Sequence, residues 1–273
     1  YLIEFVLLIL LVVWSNYFLK VFKYKQIKPK FQKAVLACGI VGLVFQTTGV
    51  VALATSKAMD STELQKRIAE NEKAIAENKK NAKSDGSVEK GKADDYASSG
   101  NSQKVSNKGL FCLGDSVMLS AYTNIQDIYP DATIDAAVSR QIYHALDILS
   151  WYQSQGNIHN TVVISLGTNG VLDENTVEQL LEMIGKDKSI FWVNVYAPGV
   201  EWEASNNKYL NELAKKHSNV TIIDWNSYIS KHTDLLEADG IHPIEEGADA
   251  YAKLIQKSIN SVMKKQKKIE ENK

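Results

Sequence analysis

GLFCLGDS (109–116) joins an unbroken apolar run to a Gly-Asp-Ser corner. A short run with no alternating polar residue reads as a strand buried on both faces. Gly and Asp favour a tight turn directly after it, so Ser116 is expected at the strand's carboxyl end. The pattern repeats downstream. Short apolar runs at 133–138, 161–166 (TVVISL), 189–196 (SIFWVNVY) and 220–224 read as further strands. Amphipathic stretches around 141–152, 175–184, 205–216 and 244–263 read as helices between and after them. Strands alternating with helices imply an α/β fold, a parallel sheet of about five strands with helices on both faces. Such sheets hold their sites at the carboxyl ends of strands, and about 150 residues are enough for one core.

Upstream the composition changes. Residues 83–108 are rich in Ser, Gly, Asn, Asp and Lys with few large apolar side chains, which reads as a flexible tether. Residues 60–82 are charged and helix-prone, with a seven-residue near-repeat, IAENEKA (68–74) then IAENKKN (75–81). Ile68 and Ile75 share a face, but so thin a stripe reads as a solvated helical stalk rather than a coiled coil. Residues 1–22 and 34–54 are each about as long and apolar as a membrane-spanning helix, roughly 20 residues. Gly39, Gly42 and Gly49 would let the second pack closely against another helix. Between them Lys20, Lys23, Lys25, Lys28, Lys30 and Lys33 occur with no acidic residue. A short lysine-rich loop stays in the cytoplasm, which puts everything after residue 54 outside. The first residue is Tyr1 rather than Met, so the chain reads as a piece of a longer one. The organisation expected is two transmembrane helices (1–54), a helical stalk and flexible linker (55–108), and an extracytoplasmic domain (109–273).

A whole-chain net charge of −1 conceals an asymmetry. Residues 109–263 hold 20 acidic and 9 basic side chains, a net of −11. So acidic a domain is a poor partner for nucleic acid. Cys38 and Cys112 are too few for a disulfide framework and read as small buried hydrophobes. The spacing of His144, His159, His217 and His232 is not that of a metal site. No phosphate-binding glycine loop is present.

Three short blocks carry the chemistry. A serine at a strand end, like Ser116, can present an exposed hydroxyl, but it is a weak nucleophile without an adjacent base. Alone, Gly-Asp-Ser is equally an ordinary helix cap. Asp239-Gly-Ile-His242 precedes the last helix. A histidine three residues after an aspartate on a turn can face that carboxylate, which would orient the imidazole and stabilise its cation. Alone, a loop Asp and His are more often simple surface residues. Pro243 would open the following helix, where its missing N–H is harmless. Gly167-Thr168-Asn169 follows the strand TVVISL. Asn169 can donate its side-chain N–H to a developing oxyanion, or the three residues are simply a turn.

In their order, GDS (114–116), GTN (167–169) and DGIH (239–242) resemble the signature blocks of SGNH hydrolases, also called GDSL esterases. The resemblance implies a catalytic triad of Ser116, His242 and Asp239. It also implies an oxyanion hole made by the amide of Ser116, the side chain of Asn169 and a backbone N–H from a second block. Two departures stand out. Val117 replaces the usual Leu, and the second-block glycine is Ser139, within AAVSRQ (136–141). Serine keeps a backbone N–H but reaches glycine-like dihedrals less easily. Arg140 beside it is either a structural residue or a substrate contact. Tyr196, Trp202 and Trp225 either line a sugar-binding groove or pack in the core.

An SGNH domain behind a tether and membrane helices, together with NVYAP (194–198), resembles bacterial peptidoglycan O-acetyltransferases of the OatA type. That resemblance implies transfer of acetyl through an acetyl-serine to the C6 hydroxyl of N-acetylmuramic acid. It also implies an acetyl supply through a membrane acyltransferase domain of the same polypeptide, ultimately from acetyl-CoA. No metal or soluble cofactor is expected in the SGNH domain itself. The expected location is the cell membrane, facing the peptidoglycan glycan strands. A surface-anchored acetylesterase and a non-catalytic glycan-binding module are the alternatives.

Overall fold

The chain divides into two units, 1–59 and 60–273. The computed structural model describes residues 63–80, 105 and 109–272. Both apolar segments, the lysine-rich loop and, except for Val105, the tether lie outside the described residues. Among the described residues, no helix is long and apolar enough to cross a membrane.

The first described element is helix α1 (63–80). The α/β region follows with β1 (Leu110–Gly114), α2 (Ser116–Ser120), α3 (Tyr122–Ile128), β2 (Thr133–Ala136) and a 3-10 turn (Ile142–His144). Then come α4 (Ala145–Ser154), β3 (Thr161–Ser165), α5 (Glu174–Ile184), β4 (Ser189–Val193), α6 (Glu203–Lys216), β5 (Val220–Ile223), α7 (Trp225–Ile229) and α8 (Glu245–Glu271). The five strands form one parallel sheet in the order β2-β1-β3-β4-β5. Alternate residues feed two cores, one on each face. Leu110, Cys112, Val163, Phe191 and Ile223 meet Tyr251, Ile255 and Ile259 of α8. Phe111, Leu113, Val162, Ile164 and Trp192 meet Leu149, Val177, Leu180 and Leu210 of α4, α5 and α6. Burial on both faces explains why the strands are almost wholly apolar, and the expected architecture is the one observed.

Several boundaries differ from expectation, each for a local reason. The fourth strand stops at Val193, not at 196. There the side chain of Asn207 takes over both backbone groups of Val195, accepting from its N–H at 2.8 Å and donating to its carbonyl at 2.7 Å. The fifth strand ends before Asp224, whose carboxylate instead caps α7 by accepting from the Ser227 amide. Pro243 does not open the last helix. It is buried and bridges to Leu236, and α8 starts at Glu245. Cys112 is fully buried, as expected of a small hydrophobe, and burial pushes its thiol up to about 12. Cys38 lies outside the described residues.

Helix α1 is not a solvated stalk. Leu64 and Ile75 are buried, and Ile68 and Ile75 pack against the core that contains α8. Between them in the stripe sits Asn71, a buried polar residue. It bonds to the carbonyl of Leu119 at 2.8 Å and to Thr123 at 3.1 Å. A polar side chain inside the apolar stripe weakens the sequence signal for burial, although its partners satisfy it in the fold.

Candidate active site

The parallel sheet delivers β1 and β3 to the same edge, and the corner after β1 is tied to β3 by Asp115 N–H donating to the carbonyl of Ser165 at 3.0 Å. Gly114 is required by close packing. A Cβ there would lie 2.4 Å from Cβ of Met118, so a side chain would push α2 off the strand end. Asp115 caps α2 by accepting from the Val117 amide at 3.0 Å. Ser116 is then the first residue of α2.

The loop 237–243 approaches Ser116 from 126 residues away in sequence. It is closed by the Glu237 amide donating to the His242 carbonyl at 2.8 Å and the Gly240 amide donating to the Glu237 carbonyl at 2.8 Å. Asp239 divides its two oxygens. Oδ1 accepts the amides of Ile241 and His242 at 2.8 and 3.0 Å, and Oδ2 lies 2.6 Å from His242 Nδ1. The opposite ring nitrogen, Nε2, lies 2.8 Å from Ser116 Oγ. Partial burial works to raise the Asp239 carboxyl, but the bonds from the His242 ring and from the two amides outweigh it and hold it at about 2. Asp239 is therefore an anion throughout the neutral range, as a partner for an imidazolium requires.

Two further turns follow β2 and β3, the strands that flank β1. Asn169 lies in the turn after β3, and its Nδ2 is buried with no hydrogen-bond partner. Buried donors are rarely left so, and this one is free to meet a ligand oxygen. The turn itself is built by Asn206 of α6. Its Nδ2 donates to the carbonyls of Gly167 and Gly170, both at 2.9 Å, and its Oδ1 accepts the Leu172 amide at 2.9 Å. Trp202 adds a bond from its indole to the Thr168 carbonyl at 3.2 Å. Gly167 sits at φ +125, where an added Cβ would also lie 2.9 Å from Val195. Ser139 lies in the loop after β2 at φ +56, the one non-glycine among the described residues with positive φ. The glycine-like conformation is thus reached, at the strain cost expected of a left-handed non-glycine residue.

The structure separates the remaining candidates. Arg140 is not open to a substrate. It is buried and bonds to the carbonyls of Gly114 and Asp135 and to the Asp135 carboxylate at 2.6 Å. It ties the Ser139 loop to the end of β1. Tyr196 is half-buried and lines a narrow crevice with Val117, Ser165, Thr168, Asn194 and Trp225. Trp225 is a core residue, 1% exposed and edge-on to Tyr251, and Trp202 supports the Asn169 turn. Neither forms an open sugar platform. Sequence reading missed Asn206 and Asp135 as supports for these loops. A lone Asn inside an amphipathic helix carries no signal until its partners are known.

The five-stranded parallel sheet flanked by helices is SGNH-like in fold, and Ser116, His242 and Asp239 form one hydrogen-bonded chain at its strand ends. No protein-family model matches the chain. It is similar to peptidoglycan O-acetyltransferase OatA of Listeria monocytogenes, 32% identical over 148 residues, which cover 54% of this chain and 23% of that protein. YrhL of Bacillus subtilis is 34% identical over 154 residues, covering 56% of this chain and 24% of the relative. The chain thus spans about a quarter of the length of the curated relatives it matches. Among solved structures, it resembles the C-terminal catalytic domain of Streptococcus pneumoniae OatA, captured with a methylsulfonyl adduct. There the TM-score is 0.52 and the identity 29%, over 56% of this chain and 93% of that one. The similarity falls on the group of proteins to which the sequence blocks pointed.

Asp115 gives the site a pH signature. Burial pushes its carboxyl up to about 6, against opposing bonds from Thr168 and the Val117 amide and the nearby His242. The ordinary value is 3.8, so protonation of this group favours the folded state. That contribution is complete below about pH 4 and is lost as pH rises through 6. Asp115→Asn keeps a capping side chain and removes the titration. Its melting temperature relative to the parent should therefore climb between pH 4 and pH 7, by the equivalent of up to about 3 kcal/mol. A difference that stays constant over that range would contradict the assignment.

Proposed function

We propose that residues 109–272 are the acyl-transferring domain of a peptidoglycan O-acetyltransferase. The reading rests first on the continuous hydrogen-bonded chain Ser116–His242–Asp239, at 2.8 and 2.6 Å, beside the unpartnered Asn169 donor. The similarity to an OatA catalytic domain supports the choice of acetyl and of a cell-wall acceptor. His242 Nε2 takes the Ser116 proton as Oγ attacks the acetyl carbonyl. The resulting oxyanion is met by the Asn169 side chain and the amides of Ser116 and Ser139. The donor's leaving group departs with the proton held by His242, leaving acetyl-Ser116. A sugar hydroxyl then gives its proton to His242, attacks the acetyl-serine and carries the acetyl away, and Ser116 regains its proton.

The acceptor in this reading is the C6 hydroxyl of N-acetylmuramic acid in a glycan strand. The acetyl source is a membrane acyltransferase part of the same polypeptide, drawing on acetyl-CoA. The apolar segments 1–22 and 34–54 and the lysine-rich loop between them support anchorage with this domain outside the cell. Val138, Tyr143 and Val171 are large apolar side chains left 48%, 57% and 63% exposed. Val138 and Val171 stand on the loops that carry Ser139 and Asn169 and Tyr143 on the 3-10 turn after the first, and we assign them to the rim that receives the sugar.

Two measurements test this. The chain is incubated with an activated acetyl ester and muramic-acid oligosaccharides, and the products are read by mass spectrometry. A sugar heavier by one acetyl group is expected, lost in Ser116→Ala and reduced on the order of a hundred- to thousandfold in Asn169→Ala. Acetate release with no acetylated sugar would favour the esterase alternative, and no Ser116-dependent turnover at all would favour the glycan-binding module. Tyr143→Ala should raise KM for the oligosaccharide severalfold and leave acetate release without acceptor unchanged. An unaltered acceptor KM would remove Tyr143 from the rim.

A further inference from the structure

The seven-residue repeat in α1 acquires a meaning from what it touches. Ile68 and Ile75, the first residues of IAEN and IAEN, pack against the core. Asn71 and Asn78, the fourth residues, each bond to the segment that follows Ser116. Asn71 donates to the Leu119 carbonyl, and Asn78 donates to the Tyr122 hydroxyl at 2.9 Å. Each repeat therefore supplies one apolar anchor and one polar anchor, a heptad apart on the same face.

The charged residues of α1 extend this grip to the other two parts of the site. Arg67 spans the two ends of the loop that carries Asp239 and His242. It donates to the carbonyl of Pro243, the residue after His242, and pairs with Glu237 at 3.5 Å and Glu245 at 3.3 Å. Its side chain and that of Glu237 are each 14% exposed, so that pair is partly screened from solvent, whereas Glu245 is exposed. At the other end Lys79 pairs with Asp135 at 2.7 Å. Asp135 is the residue that also holds Arg140, next to Ser139. One helix thus contacts the α2–α3 segment that Ser116 opens, the Asp239–His242 loop and the support of the Ser139 loop.

We propose that α1 is a positioning helix for the Ser116–His242–Asp239 site, with Arg67 as the positioning residue that sets the His242 loop. The inference rests on the serine-dependent chemistry proposed above. Arg67 touches no reacting atom. Its Nη2 bonds the loop's exit at Pro243 and its entry at Glu237 while Nη1 reaches Glu245, and so the guanidinium fixes where Nε2 of His242 stands relative to Ser116 Oγ. A displacement of about 1 Å at such a contact costs on the order of a hundredfold in rate. Helix α1 is, in consequence, a positioning element of the site rather than a solvated stalk.

The test uses the full chain carrying Arg67→Ala, Arg67→Lys or, on the exposed face of α1, Glu70→Ala, at a temperature well below every melting transition. Hydrolysis of an activated acetyl ester is measured together with the rate at which a sulfonyl fluoride modifies Ser116. Arg67→Ala should lower kcat and the sulfonylation rate about tenfold or more, with KM for the ester within twofold of the parent. Arg67→Lys should recover only part of the loss, because one ammonium cannot reproduce the contacts of Nη2 with Pro243 and Glu237 together with that of Nη1 with Glu245, and Glu70→Ala should match the parent. The proposal is overturned if Arg67→Ala keeps kcat and the sulfonylation rate within twofold, or if its losses follow only the fraction unfolded. Failure of the parent to turn over the ester while Ser116 is still sulfonylated would count against the functional reading. The sulfonylation comparison would then still decide the role of Arg67.

Discussion

The Asp239 carboxylate is the constraint on which the site depends. One oxygen closes the turn that carries it, through the amides of Ile241 and His242, and the other orients the imidazole. The same bonds that shape the turn keep the carboxylate ionised. Loop geometry and ring orientation are therefore not separable properties: a turn that failed to close would also release the ring. This is why the motif needs an aspartate three residues before the histidine. It also explains how an exposed loop, with Asp239 42% exposed, can hold a ring to within hydrogen-bond distance of Ser116.

The parallel sheet does the corresponding work for Ser116 and Asn169. Adjacent strands β1 and β3 end at the same edge, so their following turns meet although about fifty residues separate them. The helices then specify the turns. Asn206 folds the Asn169 turn around its own amide, giving both Nδ2 hydrogens and one Oδ1 lone pair to the backbone, and the Asn169 Nδ2 is left uncommitted. Arg140 and Asp135 perform the same service for the Ser139 loop. The unusual dihedrals of Ser139 are sustained between two anchors, the Ala137 amide on the Gly114 carbonyl and the buried Arg140.

Much of this was legible in the sequence. Strands buried on both faces leave a continuous apolar run, so the sheet and its strand-end positions were readable without coordinates, while the grouping of Ser116, Asp239 and His242 came from the resemblance of three short blocks to a known family. What escaped was whatever depends on a partner remote in sequence. Arg140 beside a site block reads equally as a ligand contact or a support, and only burial against Asp135 decides. Asn206 reads as a polar residue on an amphipathic helix. The stripe of α1 is interrupted by Asn71, whose burial becomes tolerable only when the Leu119 carbonyl is brought to it. A polar residue that is satisfied in the fold looks, in the sequence, like one that faces water.

The central claim is that Ser116 carries the acetyl group between donor and acceptor. Rapid acid quenching of the chain during turnover of an activated acetyl ester, followed by peptide mass mapping, tests it most directly. The account predicts a single acetyl group on the peptide containing Ser116, appearing within the first turnover, discharged by added muramic-acid oligosaccharide and absent when His242 is replaced by Ala. Steady turnover with Ser116 unmodified at every time point, or acetyl on another side chain that the oligosaccharide discharges, would contradict it.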